Sequence, residues 1–163
     1  MDFDALFDEA YPPLVRYCQR LTGDRDVAED VAQEAMVRLF ANEVEGPPPA
    51  VRAWLFKTAT HLIRDRYRVD ENRRRLLLEN PVTPSPLEGP ERRLERRADQ
   101  ELARKALDRL TERDREMLVL RYEGFSYKEI ADVVNVAATS VGTLLARAER
   151  RFVEALDGGW ETA

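Results

Sequence analysis

The chain has 163 residues, long enough for one ordinary domain or two small helical ones, with a formal charge of −5 and charged side chains at 35% of positions. A single histidine and a single cysteine exclude a disulfide framework and a zinc site of the usual nitrogen–sulfur type. The start, Met-Asp-Phe-Asp, has no basic-then-apolar leader, and no run of about 18 apolar residues occurs, so the expectation is an all-α, soluble, cytoplasmic protein without membrane insertion.

In chain order, Phe3, Leu6, Phe7 and Ala10 form an amphipathic set, interrupted at Pro12-Pro13 and resumed by Leu14, Cys18 and Leu21 up to Gly23. Cys18 lies on that apolar stripe, which predicts a buried, reduced thiol. Asp26 and Glu29 have capping-box spacing and open a second helix running to about Ala41. Its core face is Val27, Val31, Ala35 and Leu39, whereas Val37 and Phe40 fall off that face, beside Asp30 and Gln33. A second apolar patch of this kind suits a partner protein, with burial on both sides as the alternative.

A third helix is predicted from near Ala50 to about Arg68, after Glu45-Gly46-Pro47-Pro48-Pro49. Val51, Leu55, Ala59 and Leu62 share its core face. Trp54, Lys57, His61, Arg64 and Arg68 cluster within about 80° on the other side of a helical wheel. Cations that follow phosphates, interleaved with rings that stack on bases, suit single-stranded nucleic acid; the alternative is a solvated basic face with Trp54 partly buried. Local charge agrees. Residues 24–45 hold seven acidic and two basic side chains, and residues 52–75 hold eight basic and three acidic, so a mean charge hides two opposite fields.

Asn80 to Pro90 contains four prolines and one glycine and little to bury, which reads as an extended, flexible linker. The expected division is a domain over 1–75, a linker over 76–98, a second domain over 99–157 and a tail over 158–163. In the second domain, Leu102, Ala106, Leu107 and Leu110 mark one helix. Thr111 with Asp114 caps the next, which carries Met117, Leu118 and Leu120 and stops at Gly124. Ser126 with Glu129 is a capping box opening Tyr127 to Val134, Asn135 suits a left-handed turn, and a last helix runs from about Thr139 to Leu156. A short helix, a tight turn and a longer helix follow the helix-turn-helix plan, with Arg147, Arg150 and Arg151 available for phosphates. A plain helical bundle is the alternative. No glycine-rich phosphate loop, nucleophile elbow or His-Glu metal pair occurs, so neither an enzyme nor a cofactor or metal is expected.

These zones together resemble a bacterial extracytoplasmic-function (ECF) RNA polymerase sigma factor over nearly the whole chain. The run Asp26-Val-Ala-Glu-Asp-Val-Ala-Gln-Glu-Ala-Met-Val-Arg-Leu-Phe resembles region 2.2, which grips the β′ clamp helices of the polymerase. Ala53-Trp-Leu-Phe-Lys-Thr-Ala-Thr-His-Leu-Ile-Arg-Asp resembles regions 2.3 and 2.4, which melt and read the −10 element. Leu110-Thr-Glu-Arg-Asp-Arg-Glu-Met-Leu-Val-Leu-Arg-Tyr-Glu-Gly-Phe-Ser-Tyr-Lys-Glu-Ile-Ala is similar to region 4, which docks on the −35 element and the β flap.

The resemblance implies two helical domains, regions 2 and 4, joined by a Pro-rich linker, and a set of roles. Asp30, Gln33, Glu34, Val37 and Phe40 would face the polymerase. Asn42, Glu43, Val44, Glu45, Gly46, Pro47, Pro48 and Pro49 would form the specificity loop around a flipped base. Trp54, Lys57, His61, Arg64 and Arg68 would line the melted −10 strand, and Ser126, Lys128, Ser140, Thr143, Arg147, Arg150 and Arg151 would serve the −35 duplex. Partners implied are core polymerase, promoter DNA and an anti-sigma factor. The sequence departs from the family at His61, where asparagine is usual. In the recognition helix Gly142 and Leu144 replace cations, and Ala137 replaces the usual cap. Two other functions compatible with the residues are a stand-alone helix-turn-helix regulator and a sigma-like adaptor that binds polymerase without initiating.

Overall fold

The computed structural model describes the backbone of residues 2–69 and 90–158 and the side chains of 2–67 and 98–157. Among the described residues there are seven helices and no strand. An N-terminal unit comprises α1 (Phe3–Thr22), α2 (Arg25–Ala41) and α3 (Pro48–Val69). A C-terminal unit comprises α4 (Pro90–Asp108), α5 (Glu112–Tyr122), α6 (Tyr127–Val134) and α7 (Ala138–Gly158). The start of α4 at Pro90 falls inside the stretch read as linker; proline is favoured in a first helical turn, where its missing N–H would have no partner.

Helix α1 continues through Pro12 and Pro13, where the sequence predicted a break. Two internal prolines remove two helix hydrogen bonds. Tertiary packing offsets this, because Leu14, Tyr17, Cys18 and Leu21 on the following turns are buried. The helix ends where Gly23 takes the left-handed φ of 70°. Asp24, rather than Asp26, caps α2: its carboxylate accepts from the amides of Asp26 and Val27 at 2.9 and 3.2 Å, while Glu29 pairs with Arg25. Asp24→Ala should therefore destabilise the protein by about 1 kcal/mol, measured by urea unfolding.

The N-terminal core joins Ala28, Val31, Ala35, Met36 and Leu39 of α2 to Leu14, Tyr17 and Leu21 of α1 and Val51, Leu55, Ala59 and Ile63 of α3. The Thr60 hydroxyl donates to the Phe56 carbonyl at 2.7 Å, so the fully buried Tyr17 hydroxyl donates to Thr60 at 2.6 Å. Burial pushes the Tyr17 phenol well above its usual range. Cys18 is buried as predicted, and desolvation pushes its thiol up to about 12. It should stay unmodified by a thiol reagent such as DTNB in the native protein and react only on unfolding.

In the C-terminal unit, Met117, Leu120, Ile130, Val134, Val141, Leu145 and Ala148 form the shared interior. Arg115 is buried too, but its guanidinium donates to the carbonyls of Leu107 and Leu110, at the turn that follows α4. Ser126 and Glu129 close the expected reciprocal capping box, Asn135 takes φ 59°, and α6 and α7 meet at 88°. No single helix among the described residues is long and apolar enough to cross a membrane.

The two units pack directly on each other. The Phe56 ring of α3 meets Phe125 at 4.7 Å between centroids, and the Arg52 guanidinium lies 4.4 Å over Phe125 while donating to the Glu123 carbonyl at 2.8 Å. Arg20 of α1 pairs with the Glu123 carboxylate and covers the Tyr122 ring at 4.6 Å. The Phe56 side of α3, which the wheel left outside the core stripe, is thus buried by the second unit, and Leu62 is only half-buried.

Candidate nucleic-acid interface

Trp54, Lys57, His61 and Arg64 recur at intervals of three and four on α3, which sets them in one row along the helix. Trp54 is half-buried and packed on the core, presenting only part of its ring. Lys57 Nζ stands 3.1 Å from Asp132 Oδ1, in a pair open to solvent. Arg64 makes a two-point contact with Glu116: Nε to Oε2 at 2.8 Å and Nη2 to Oε1. The Glu116 side chain is 2% exposed and that of Arg64 20%.

This pair is buried on one side only, and that decides its strength. The carboxylate holds Arg64 more firmly charged than usual, yet burial still pushes the Glu116 carboxyl up, because its lost hydration outweighs what the guanidinium returns. His61 is exposed at its tip; partial burial, then Arg64 and Lys57, hold its imidazole below its ordinary value, which favours the neutral form near pH 7. The row thus offers a partial aromatic face, two fixed cations and a neutral imidazole. The side chain of Arg68 lies outside the described residues.

The loop between α2 and α3 is exposed from Asn42 to Pro49 except at Val44, which is half-buried against the core and anchors it. The Asn42 side chain donates to the Arg38 carbonyl at 2.7 Å, and Glu43 is held at φ 50°, a left-handed value unusual for glutamate. The Pro47 carbonyl receives the amides of Ala50 and Val51, so α3 begins at Pro48, two residues earlier than the sequence reading, with Pro48 and Pro49 in its first turn.

On α2, Asp30, Gln33, Glu34, Val37 and Phe40 are all exposed, Phe40 at 72% and Val37 at 60%. Asp30 is 3.8 Å from Arg66, and Glu34 pairs with Arg38 one turn on; both contacts are in solvent and weak. The sequence reading missed the neighbours of this face. Phe3 stacks edgewise on Phe40 with centroids 5.7 Å apart, Phe7 stacks on Tyr11 at 4.5 Å, and the Gln33 amide donates to the Tyr11 hydroxyl at 3.4 Å. The signal was present in the i, i+4 spacing of Phe3, Phe7 and Tyr11, of which the sequence reading noted only Phe3 and Phe7, as part of an amphipathic set.

In the helix-turn-helix, Lys128, Thr143, Arg147 and Arg150 are exposed, as is the capping Ser126, and Ser140 is half-buried. Arg151 is otherwise engaged: its Nη1 lies 2.6 Å from Oδ2 of Asp114, whose side chain is buried. The Leu144 position is half-buried against the core, and a β-carbon added at Gly142 would meet the Tyr127 ring at 3.5 Å. Arg121 lies 5.2 Å over that same ring. Ala137, just before α7, has no side-chain oxygen to offer the first-turn amides.

Residues 6–74 match the family model described as sigma-70 region 2, and residues 100–152 match that of sigma-70, region 4. The chain is 32% identical over 160 residues to the ECF RNA polymerase sigma factor EcfG of Rhodopseudomonas palustris, covering 90% of this chain and 81% of that protein. It is 34% identical over 150 residues to the ECF RNA polymerase sigma factor SigL of Mycobacterium tuberculosis, covering 90% and 84%. In fold it resembles the sigma factor RpoE solved in complex with the anti-sigma factor NepR from Bartonella quintana, with a TM-score of 0.71, 23% identity and coverage of 96% of this chain and 97% of that one. With both regions matched in order and relatives aligned over most of their length, the chain belongs to the ECF family of RNA polymerase sigma factors, which bind core RNA polymerase and direct it to promoters.

Proposed function

We propose the following division of labour within that activity. Residues 1–75 hold the polymerase and open the −10 element, 76–98 connect, 99–157 dock on the −35 element, and 158–163 form a tail. The observation that carries this reading is the α3 row, in which Trp54, Lys57, His61 and Arg64 share one line beside the exposed α2–α3 loop. Cations of this row follow the phosphates of the melted strand, with Arg68 extending the track. Trp54 offers a stacking face, and the loop from Asn42 to Pro49 receives a flipped base. Unstacking a base costs a few kcal/mol, and stacking returns roughly 1–3 kcal/mol per base, so the cationic track is needed as well.

Asp30, Gln33, Glu34, Val37 and Phe40 meet the β′ clamp helices, and Phe3, Phe7 and Tyr11 widen that surface. At the other end Ser126, Lys128, Ser140, Thr143, Arg147 and Arg150 serve the −35 duplex, and the uncapped amides of α7 suit a phosphate. Arg151 contributes charge there while tied to Asp114. The region 4 unit also docks on the β flap. The protein works in the cytoplasm, has no catalysis of its own, and is held by an anti-sigma factor, as its structural neighbour is by NepR.

Run-off transcription with core polymerase on genomic fragments tests the whole reading; polymerase binding without any promoter-specific start would overturn it in favour of an adaptor. The polymerase surface has its own test. Phe40→Glu removes a largely exposed ring and its edgewise contact with Phe3, so the fold should persist while polymerase affinity, read by fluorescence anisotropy, falls at least about tenfold.

A further inference from the structure

We infer that Arg121, held over the Tyr127 ring, is a further phosphate contact at the −35 element, set on the rim of the groove that α7 enters. The inference rests on the reading that α6 and α7 dock on the −35 duplex, a reading in which neither Arg121 nor Tyr127 has a role.

Arg121 lies in the last turn of α5 and is exposed, yet it is held in place. Its Nη1 donates to the Phe125 carbonyl at 3.0 Å, and its guanidinium carbon lies 5.2 Å from the centroid of the Tyr127 ring. Tyr127 opens α6, and it is 45% exposed. The Cε2 edge of its ring rests on α7, where a β-carbon at Gly142 would stand 3.5 Å away. A side chain longer than that at position 142 would take the place of the ring, so the bare backbone there lets Tyr127 reach across from α6 to α7. On α7, Gly142 is about 60° from Thr139 and about 40° from Ala146, at 3.6 residues per turn. Both of these residues are exposed, as is Thr143, the next in sequence. The ring therefore continues the exposed face of α7 sideways and carries Arg121 with it.

The dimensions suit a phosphate. A helix with its side chains is about 10–12 Å across and the major groove about 12 Å wide, so a helix seated there has a sugar-phosphate backbone along each flank. A cation one side chain off the flank of α7 meets that backbone and not the bases. The charge suits it as well. Arg20, Arg64 and Arg151 are each paired with a carboxylate, and Arg115 is buried on carbonyls. Arg121 has a carbonyl and a ring and, among the described residues, no carboxylate partner. The acid nearest in sequence to Tyr127, Glu129, is committed to the Ser126 amide at 2.9 Å. A guanidinium already fixed keeps its remaining N–H groups aimed outward and loses less freedom when it binds a phosphate than a mobile one does.

The test uses holoenzyme assembled with core polymerase and a fluorescent promoter duplex taken from the strongest start that run-off transcription maps, kept cold so that the complex stays closed. Anisotropy gives the affinity between about 50 and 200 mM salt. Arg121→Gln should weaken binding at least about fivefold and lower the slope of log affinity against log salt by about one, as loss of one phosphate contact does. That loss should be the same on duplexes with single −35 base pairs exchanged, since phosphates carry no sequence information. Tyr127→Ala removes the platform and no charge and should weaken binding at least about threefold, whereas Tyr127→Phe keeps the ring and should bind within about twofold of the parent. Lys105→Gln, which removes an exposed cation from α4, should match the parent. Arg147→Gln gauges the −35 reading itself.

An Arg121→Gln protein that binds as Lys105→Gln does, while Arg147→Gln is weakened, would overturn the proposal and leave the −35 reading standing. Normal binding by Arg147→Gln as well, or no mapped start, would sink that reading and the proposal with it. A loss at unchanged salt slope, or one that depends on the exchanged base pair, would make Arg121 a structural or base-reading residue and overturn the phosphate assignment. Because Arg121 also holds the Phe125 carbonyl, urea unfolding of each variant accompanies the binding. If Arg121→Gln proves unstable, Tyr127→Ala decides, and unchanged affinity there overturns the proposal.

Discussion

Trp54→Ala should leave the polymerase complex intact and slow promoter opening by roughly 5- to 150-fold, the rate equivalent of about 1–3 kcal/mol of lost base stacking. Trp54 is half-buried against the core, so the substitution also removes some packing; its effect on unfolding must be measured alongside. Trp54→Phe keeps a stacking ring and should recover most of the opening rate. The readout is permanganate reactivity of the −10 thymines over time, set against binding of the closed complex by gel shift. Equal loss in both would mean that Trp54 serves duplex docking or the fold, and not the melted strand.

The largest loss of stability is expected at Phe56. Its ring is fully buried, lies 5.0 Å from Tyr17 and 4.7 Å from Phe125, and carries the Arg52 guanidinium at 5.2 Å. Phe56→Ala should cost about 3–5 kcal/mol, through lost transfer energy and the cavity left between the two units. Domains of this size are stable by only about 5–15 kcal/mol, so the midpoint of urea unfolding should fall steeply. A loss under about 1 kcal/mol would show that the ring is not enclosed between the units. Phe56→Leu keeps most of the volume and should cost well under half as much.

The two predictions draw on different kinds of information. The Trp54 row was legible because it needs only helical periodicity within one segment. Phe56 was not: its burial depends on Phe125, 69 positions later in the chain, and no local pattern announces such a partner. The same reason explains why Lys57 and Arg64 read as free cations while the fold gives them Asp132 and Glu116. Arg151 read as a phosphate contact because Asp114, its partner, lies on a separate helix.

Smaller differences also follow from context. The break expected at Pro12-Pro13 did not occur, since buried neighbours on the next turns hold α1 together. The cap of α2 moved from Asp26 to Asp24 because Gly23 ends α1 immediately before it, leaving Asp24 extended at φ −131° with its carboxylate over the first amides. Conversely, the Ser126–Glu129 capping box and left-handed Asn135 came out as predicted, because caps and turns are decided by a few adjacent residues.

By itself, then, the sequence determined the helical class, the two-unit order, the helix-turn-helix and the family, all of which rest on short-range periodicity, capping chemistry and ordered motifs. Only the tertiary structure decided which of the candidate residues are free. It left the α2 face and the outer side of α7 open to partners and set α5 and α6 against the cations of α3. Charge and apolar surface find their partners across any separation in the chain, so that choice is made by the packed fold and not by any single segment.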